Sequence, residues 1–337
     1  MTLKEIATIA GVSIKTASRA INGYPDISKA TRERILEIAR THHYLPNNAA
    51  RSLRQNRSCT IGLVVPDLTN LFFGEVGRAV HNHLKPSGYS TLISFSEGSH
   101  RMEIDALDSL VAKQVDGIIL ATVGSTADHV QLIREHYRIP VVVIDNILEG
   151  ADTDLVLHDD MANSKRLTEH LCAQGCRSIG FISGPLAETS GAHRHEGFLQ
   201  AMATLELPVH PTQVVTGDWT VQGGRRAAME LLDRCTSGLD GIITANSLMA
   251  LGLYAVLRER DLRIPHDIAV ASFDYLELVD ALDPPLTTLS RVDSKIGLLA
   301  AQRLQYLIDN PEEKGVERTL VTAELQVRQS SVRVTLT

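Results

Sequence analysis

A chain of 337 residues with 44% hydrophobic content can bury a large core and is long enough for more than one domain. No apolar run approaches the roughly 20 residues that a membrane helix needs, and the N-terminus lacks an apolar signal core, so the chain is expected to be cytoplasmic. The net charge of −7 argues against nucleic-acid binding by the chain as a whole, but residues 1–57 hold ten Lys/Arg against four Asp/Glu, a surplus of six that leaves −13 on the remainder. A basic head on an acidic body is the pattern of a DNA-binding module joined to a separate ligand domain. Cys59, Cys172, Cys176 and Cys235 are scattered without a paired framework and read as reduced structural thiols.

The first predicted elements occupy residues 6–22, IATIAGVSIKTASRAIN. Two short helical patterns flank Gly11-Val12-Ser13. Gly11 can take the left-handed conformation that ends the first helix, and Ser13 can accept from the amides opening the second. Thr2 and Glu5 have the spacing of a capping box that starts the first helix. Ile6, Ala10, Val12, Ala17 and Ile21 would pack together, leaving Ile14, Lys15, Thr16, Ser18, Arg19 and Asn22 facing outward. A positively charged, polar-tipped helix held this way suits the DNA major groove; a solvated helical hairpin is the plainer alternative. Ser28 caps a third helix over residues 29–42, with Ile35, Ile38 and Ala39 to cover the hairpin.

The segments TLKEIATIAGVSIKTASRAIN, SKATRERI, YLPNNAARSLR and IGLVVPDLTNLFF resemble the LacI–GalR family of bacterial transcription repressors. The resemblance runs through the whole chain and is most specific in the first 75 residues. It implies an all-α helix-turn-helix headpiece at 1–46 and a hinge helix and linker at 47–59. The effector-binding and dimerisation body at 60–337 would be an α/β, two-lobed, periplasmic-binding-protein-like domain of type I. In the family, paired hinge helices lie over the minor groove and each wedges a leucine into a central base step. Leu53 matches that position, with Asn47, Ala50, Arg51 and Arg54 as accompanying DNA contacts.

After residue 60, β-branched runs at 61–65, 90–95, 117–121, 141–144, 178–183, 214–217, 241–245, 268–273 and 286–290 alternate with helical stretches such as 73–85 and 248–258. This calls for parallel sheets covered on both faces. Nine strands exceed a comfortable single sheet, so two lobes are expected, about 60–157 with 291–320 and about 158–290 with 321–337. Ligands in such sheets bind beyond the carboxyl ends of strands. That rule singles out Asn70, Phe72, Phe73, Ser94, Asp145, Arg194, Trp219, Asn246, Asp274 and Arg291. Their side chains supply the donors, acceptors and aromatic faces that sugars need. Trp219 reads equally well as a core anchor.

The resemblance sharpens this set. Arg194-His195-Glu196-Gly197-Phe198 looks like the family's Arg-x-x-Gly-Phe element, whose arginine holds the effector, and Asp145, Trp219, Asn246 and Asp274 fall where sugar-binding members place contacts. Purine-binding members carry an arginine six residues before that element; Glu188 stands there, which disfavours a purine co-repressor. Arg291 and Arg194 together suit a sugar acid or sugar phosphate beside a neutral sugar, unless Arg291 pairs with Asp274 or Asp145. The expected partners are thus a palindromic operator duplex, a small sugar-type effector and a second copy of the chain. The C-terminal residues show no sustained heptad pattern, so a homodimer is expected over a tetramer.

Neither cofactor nor metal is expected. No GxxxxGK[ST] loop or GxSxG elbow occurs, and His81 with His83, or His193 with His195, would diverge by about 200° on a helix. The rival readings are a solute-binding protein or a sugar-modifying enzyme on the same body. A ligand-controlled DNA-binding repressor accounts for the basic head, and neither rival does.

Overall fold

In the computed structural model, residues Met1–Ser58 and Cys59–Thr337 form two compact units. The structure describes residues 1–21, 23–44, 57–124, 126–236, 238–275, 277–290 and 292–333. Asn22, Asn47, Ala50, Arg51, Leu53, Arg54 and Arg291 therefore lie outside the described residues, as does most of the expected hinge helix.

In the first unit, α1 (Leu3–Ile9), α2 (Ile14–Ile21) and α3 (Lys29–Thr41) pack around one small core. Local chemistry sets each start. Thr2 N donates to Glu5 Oε2 at 2.8 Å while Glu5 N donates to Thr2 Oγ1, which satisfies two otherwise orphaned amides. Gly11 turns the chain at φ 64°, Ser13 Oγ accepts from Thr16 N at 3.0 Å, and Ser28 Oγ accepts from Thr31 N at 3.3 Å. Ile6, Ala10, Ala17, Ala20, Ile35 and Ala39 are buried. The sequence reading put Val12 and Ile21 inside; they pack at the rim, and Ala20 holds the inner place. Full burial of Ile6 and Ile35 contributes about 1.5–3 kcal/mol each.

The second unit contains two six-stranded sheets. The first has the order β11-β5-β4-β3-β1-β2, from β1 (Thr60–Val65), β2 (Ser90–Phe95), β3 (Gly117–Ala121), β4 (Val141–Ile144), β5 (Asp154–His158) and β11 (Arg318–Val321). The second has the order β12-β10-β9-β8-β6-β7, from β6 (Ile179–Ser183), β7 (Val214–Thr216), β8 (Gly241–Thr244), β9 (Ala269–Ser272), β10 (Thr287–Leu289) and β12 (Leu325–Gln326). Every described pairing is parallel except β10 with β12. The inner strands are buried along their length, as parallel strands covered on both faces must be.

Helices supply that cover. In the first lobe they are α4 (Leu71–Leu84), α5 (His100–Ala112), α6 (Ala127–Glu135) and α11 (Asp293–Asp309); in the second, α7 (Asp160–Ala173), α8 (Thr189–Thr204), α9 (Val221–Arg234) and α10 (Ser247–Glu259). Three crossings join the lobes: from β5 into α7, from β10 into α11, and from β11 into β12. The third is held from α7, where Asn163 Oδ1 accepts from Ala323 N at 3.2 Å and the Arg166 guanidinium donates to Ala323 O. The sequence reading found nine strands and missed β5, β11 and β12. β5 is bounded by polar Asp154 and His158, β11 is an edge strand with alternating exposure, and β12 has two residues. Among the described residues, no helix is long and apolar enough to cross a membrane.

Candidate functional site

Arg194 stands at the centre of the site, on the inner face of α8. Gly197 and Phe198 explain how it gets there. A Cβ at Gly197 would come within 2.8 Å of Met161 O, so only glycine lets α8 lie this close to α7. Phe198 is fully buried and stacks on Phe181 of β6 at 4.9 Å between ring centroids, which fixes the helix over the sheet. Ser164 Oγ donates to the Arg194 carbonyl at 2.6 Å and locks the same crossing.

So held, the Arg194 side chain is 5% exposed. Its Nε donates to Asp160 Oδ1 at 2.8 Å, and one terminal nitrogen donates to Ala245 O at 2.5 Å and lies 3.5 Å from Asp274 Oδ2. Its carbon sits 4.7 Å from the Phe273 ring centroid and 5.5 Å from that of Trp219, within cation–π reach of both. Burial alone would ease its proton off, but Asp160, Asp274 and Asp145 outweigh that and hold it charged.

The surrounding acids are displaced the other way. Burial pushes Asp145 up to about 7; Arg194 opposes the shift, while Asp160, Glu188 and Asp274 add to it. Asp160 rises to about 6 by burial against the pull of Arg194, and Asp274 and Glu188 rise for the same reason. His158, at the end of β5, is lowered to about 3 by burial and then by Arg194, so its imidazole is neutral at physiological pH. Its ring lies 5.5 Å from that of Phe72.

Trp219, the only tryptophan in the chain, is half-buried in the loop after β7. Its Nε1 donates to Glu188 Oε2 at 2.8 Å. The indole lies so close to Gly184 that a Cβ there would fall 2.1 Å from Cη2. Asn246 fixes the backbone beneath it: Nδ2 donates to Trp219 O at 2.9 Å while Oδ1 accepts from Met249 N at 2.8 Å and caps α10. Both ends of the Asn246 amide are thus engaged within the protein. The structure joins the two sequence readings of Trp219: it packs on the core and borders the Arg194 cluster.

Of the residues singled out from the sequence, Asp145, Arg194, Trp219, Asn246 and Asp274 come together. Phe72 joins through His158. Phe73 is packed in the core, Asn70 Oδ1 caps α4 by accepting from Phe72 N at 3.1 Å, and Ser94 is half-buried in edge strand β2. Asp160, His158 and Glu188 belong to the cluster and were not among the expected contacts. The lobes also touch here: Asn146 donates to Thr122 O at 3.1 Å and accepts from Ser190 N at 3.0 Å, and Ile147 N donates to Thr189 Oγ1 at 3.3 Å.

On the helix-turn-helix, Ile14 is 49% exposed, Lys15 is exposed, and Thr16, Ser18 and Arg19 are half-buried. Thr16 and Ser13 share a hydroxyl hydrogen bond of 2.8 Å. Arg19 Nε lies 2.8 Å from Asp26 Oδ2, and its guanidinium lies over the Tyr24 ring at 4.7 Å. The side chain is therefore oriented from within the head.

A helix-turn-helix head followed by a two-lobed body with a buried Arg–Asp cluster beside a tryptophan defines a ligand-responsive DNA-binding regulator. Residues 2–47 match the bacterial regulatory proteins of the lacI family, and residues 58–329 match the periplasmic binding proteins and sugar binding domain of the LacI family. The chain belongs to the LacI family: it is a DNA-binding transcriptional regulator and not an enzyme. It is 32% identical over 310 residues to the ribose operon repressor of Escherichia coli strain K12, covering 92% of this chain and 94% of the relative. Over 331 residues it is 30% identical to the HTH-type transcriptional repressor PurR of Pasteurella multocida, covering 98% of each. The lac repressor dimer bound to operator and the anti-inducer ONPF superposes with a TM-score of 0.87 at 25% identity over 99% of both chains. A LacI family transcriptional regulator from Enterococcus faecium with bound ribose gives 0.73 at 28% identity, covering 82% of this chain and all of that one.

Proposed function

We propose that the chain is a cytoplasmic, homodimeric repressor of carbohydrate-utilisation genes whose operator affinity is set by a sugar-type effector bound between the lobes. The observation that carries the effector class is the convergence of Asp145 and Asp274, just beyond strand ends, with Asp160 and Arg194 from two helices and Trp219 from a loop, which sets buried donors and acceptors beside an aromatic side chain. Relatives with ribose in their names or bound to them support the same class. Base readout is assigned to the exposed end of α2, chiefly Ile14 and Lys15, with Thr16, Ser18 and Arg19 along it. Two copies reading a palindrome supply selectivity that one short helix lacks.

Trp219 gives a direct test, because the chain has no other tryptophan. Its emission is to be titrated with a panel of sugars, sugar acids and sugar phosphates, and each hit added to the protein bound to selected palindromic DNA. A sugar that both perturbs Trp219 and changes operator affinity supports the reading. Full operator binding with no response to any member of the panel would overturn the effector class.

A further inference from the structure

We propose that the effector selected by this cleft carries a protonated amine, as an amino sugar does, and not a carboxylate or phosphate; this rests on the cleft being the effector site. Four carboxylates converge there: Asp145 after β4, Asp160 opening α7, Glu188 preceding α8 and Asp274 after β9. The cation the structure places among them is Arg194. Its Nε and one terminal nitrogen are directed at Asp160, Ala245 O and Asp274.

The imbalance is concentrated on Asp145. Asp160 and Asp274 lie within 4.0 Å of Arg194, and Glu188 accepts from the Trp219 indole. Asp145 has no cationic partner within that distance among the described residues; its one side-chain contact is the neighbouring Asn146 amide at 3.4 Å. A half-buried carboxylate facing other carboxylates is relieved by a proton or by a cation; burial first, and then Asp160, Glu188 and Asp274, raise Asp145 against the pull of Arg194. An ammonium group supplies such a cation and donates three hydrogen bonds to acceptors that are already in place. An effector carboxylate or phosphate would instead enter beside a cluster of acids and compete with Asp160 and Asp274 for one guanidinium.

The test is a matched series on each of four skeletons, glucose, galactose, mannose and ribose: the parent sugar, its amino sugar, the N-acetylated amino sugar and the sugar acid. Binding is read from Trp219 emission near neutral pH, on wild type and Asp145→Asn. On the skeleton that fits, the amino sugar should bind about tenfold or more tightly than its parent, a ratio typical of one added charge-assisted contact, and acetylation should abolish the gain. Asp145→Asn should bring the amine-to-parent ratio toward one. A parent sugar or acid that binds as tightly as the amine overturns the charge assignment and leaves the carbohydrate reading standing. An unchanged ratio in Asp145→Asn overturns the role given to Asp145. Silence from all four skeletons removes the carbohydrate reading and this proposal with it.

Discussion

Arg194 Nε donates to Asp160 Oδ1 at 2.8 Å, with the two side chains only 5% and 4% exposed. Removing one member of a buried pair strands the other charge, which costs about 3–5 kcal/mol. Asp160→Ala is expected to destabilise the body by about 3 kcal/mol, measured by urea unfolding. Asp160→Asn, whose amide oxygen can still accept from Nε, should lose less. Equal losses for the two variants would show that packing, not the pair, sets the cost.

The acids of the cleft set the sign of a pH dependence. Asp145 lies at about 7 in the folded chain against an ordinary value of 3.8. Between those limits the folded state holds the proton and the unfolded state does not, so the stabilising contribution is present at low pH and lost as pH rises toward 7. Asp145→Asn cannot lose that proton. Its melting temperature should therefore gain on that of the wild type as pH is raised from about 5 to about 7.5. Parallel melting curves across that window would contradict the assignment.

Gly184 underlies the indole of Trp219, and a Cβ there would fall 2.1 Å from Cη2. Gly184→Ala should displace the ring, shift its emission to the red and weaken effector binding by about tenfold or more through loss of the aromatic face. Operator binding without effector should persist. Unchanged emission from the variant would mean that the backbone yields instead of the ring.

Lys15 is exposed on α2 beside Ile14. Lys15→Ala should relax preference at one or two symmetric base pairs, by about 1–3 kcal/mol each, measured by competition among single-substituted operators. A uniform loss across all sequences would assign Lys15 to phosphate contact. Asp26→Ala should alter the same profile indirectly, because it frees the Arg19 side chain that Asp26 holds at 2.8 Å.

The two-lobed fold was legible because buried parallel strands leave β-branched runs that no amphipathic helix shares. Helix starts are equally readable, since Thr2, Ser13 and Ser28 each act on the amide three residues away. Part of the cleft escaped for a related reason. Strand ends point to the groups just beyond them, but β5 is bounded by polar Asp154 and His158 and has no strand signature, so nothing local in the sequence marks His158 and Asp160. Glu188 stands out in the sequence only as a departure from purine-binding members; its bond to Trp219 spans 31 residues and has no local signature. Asn246 was read as a ligand contact, yet a capping asparagine and a binding asparagine look alike until the neighbouring Trp219 carbonyl is in place.

Asp145, Trp219 and Asp274 share left-handed backbone conformations, with φ of 69°, 67° and 53°. A side chain held there costs about 1–2 kcal/mol per residue, and the chain meets that cost before any small molecule arrives. Capture then requires no ordering of these three loops, so association can proceed at the pace of encounter and lobe movement. Differences in affinity among related sugars would consequently appear in how long each one stays. A regulator built this way registers a falling sugar concentration on the timescale of ligand escape, and the best-fitting sugar is the one it is slowest to forget.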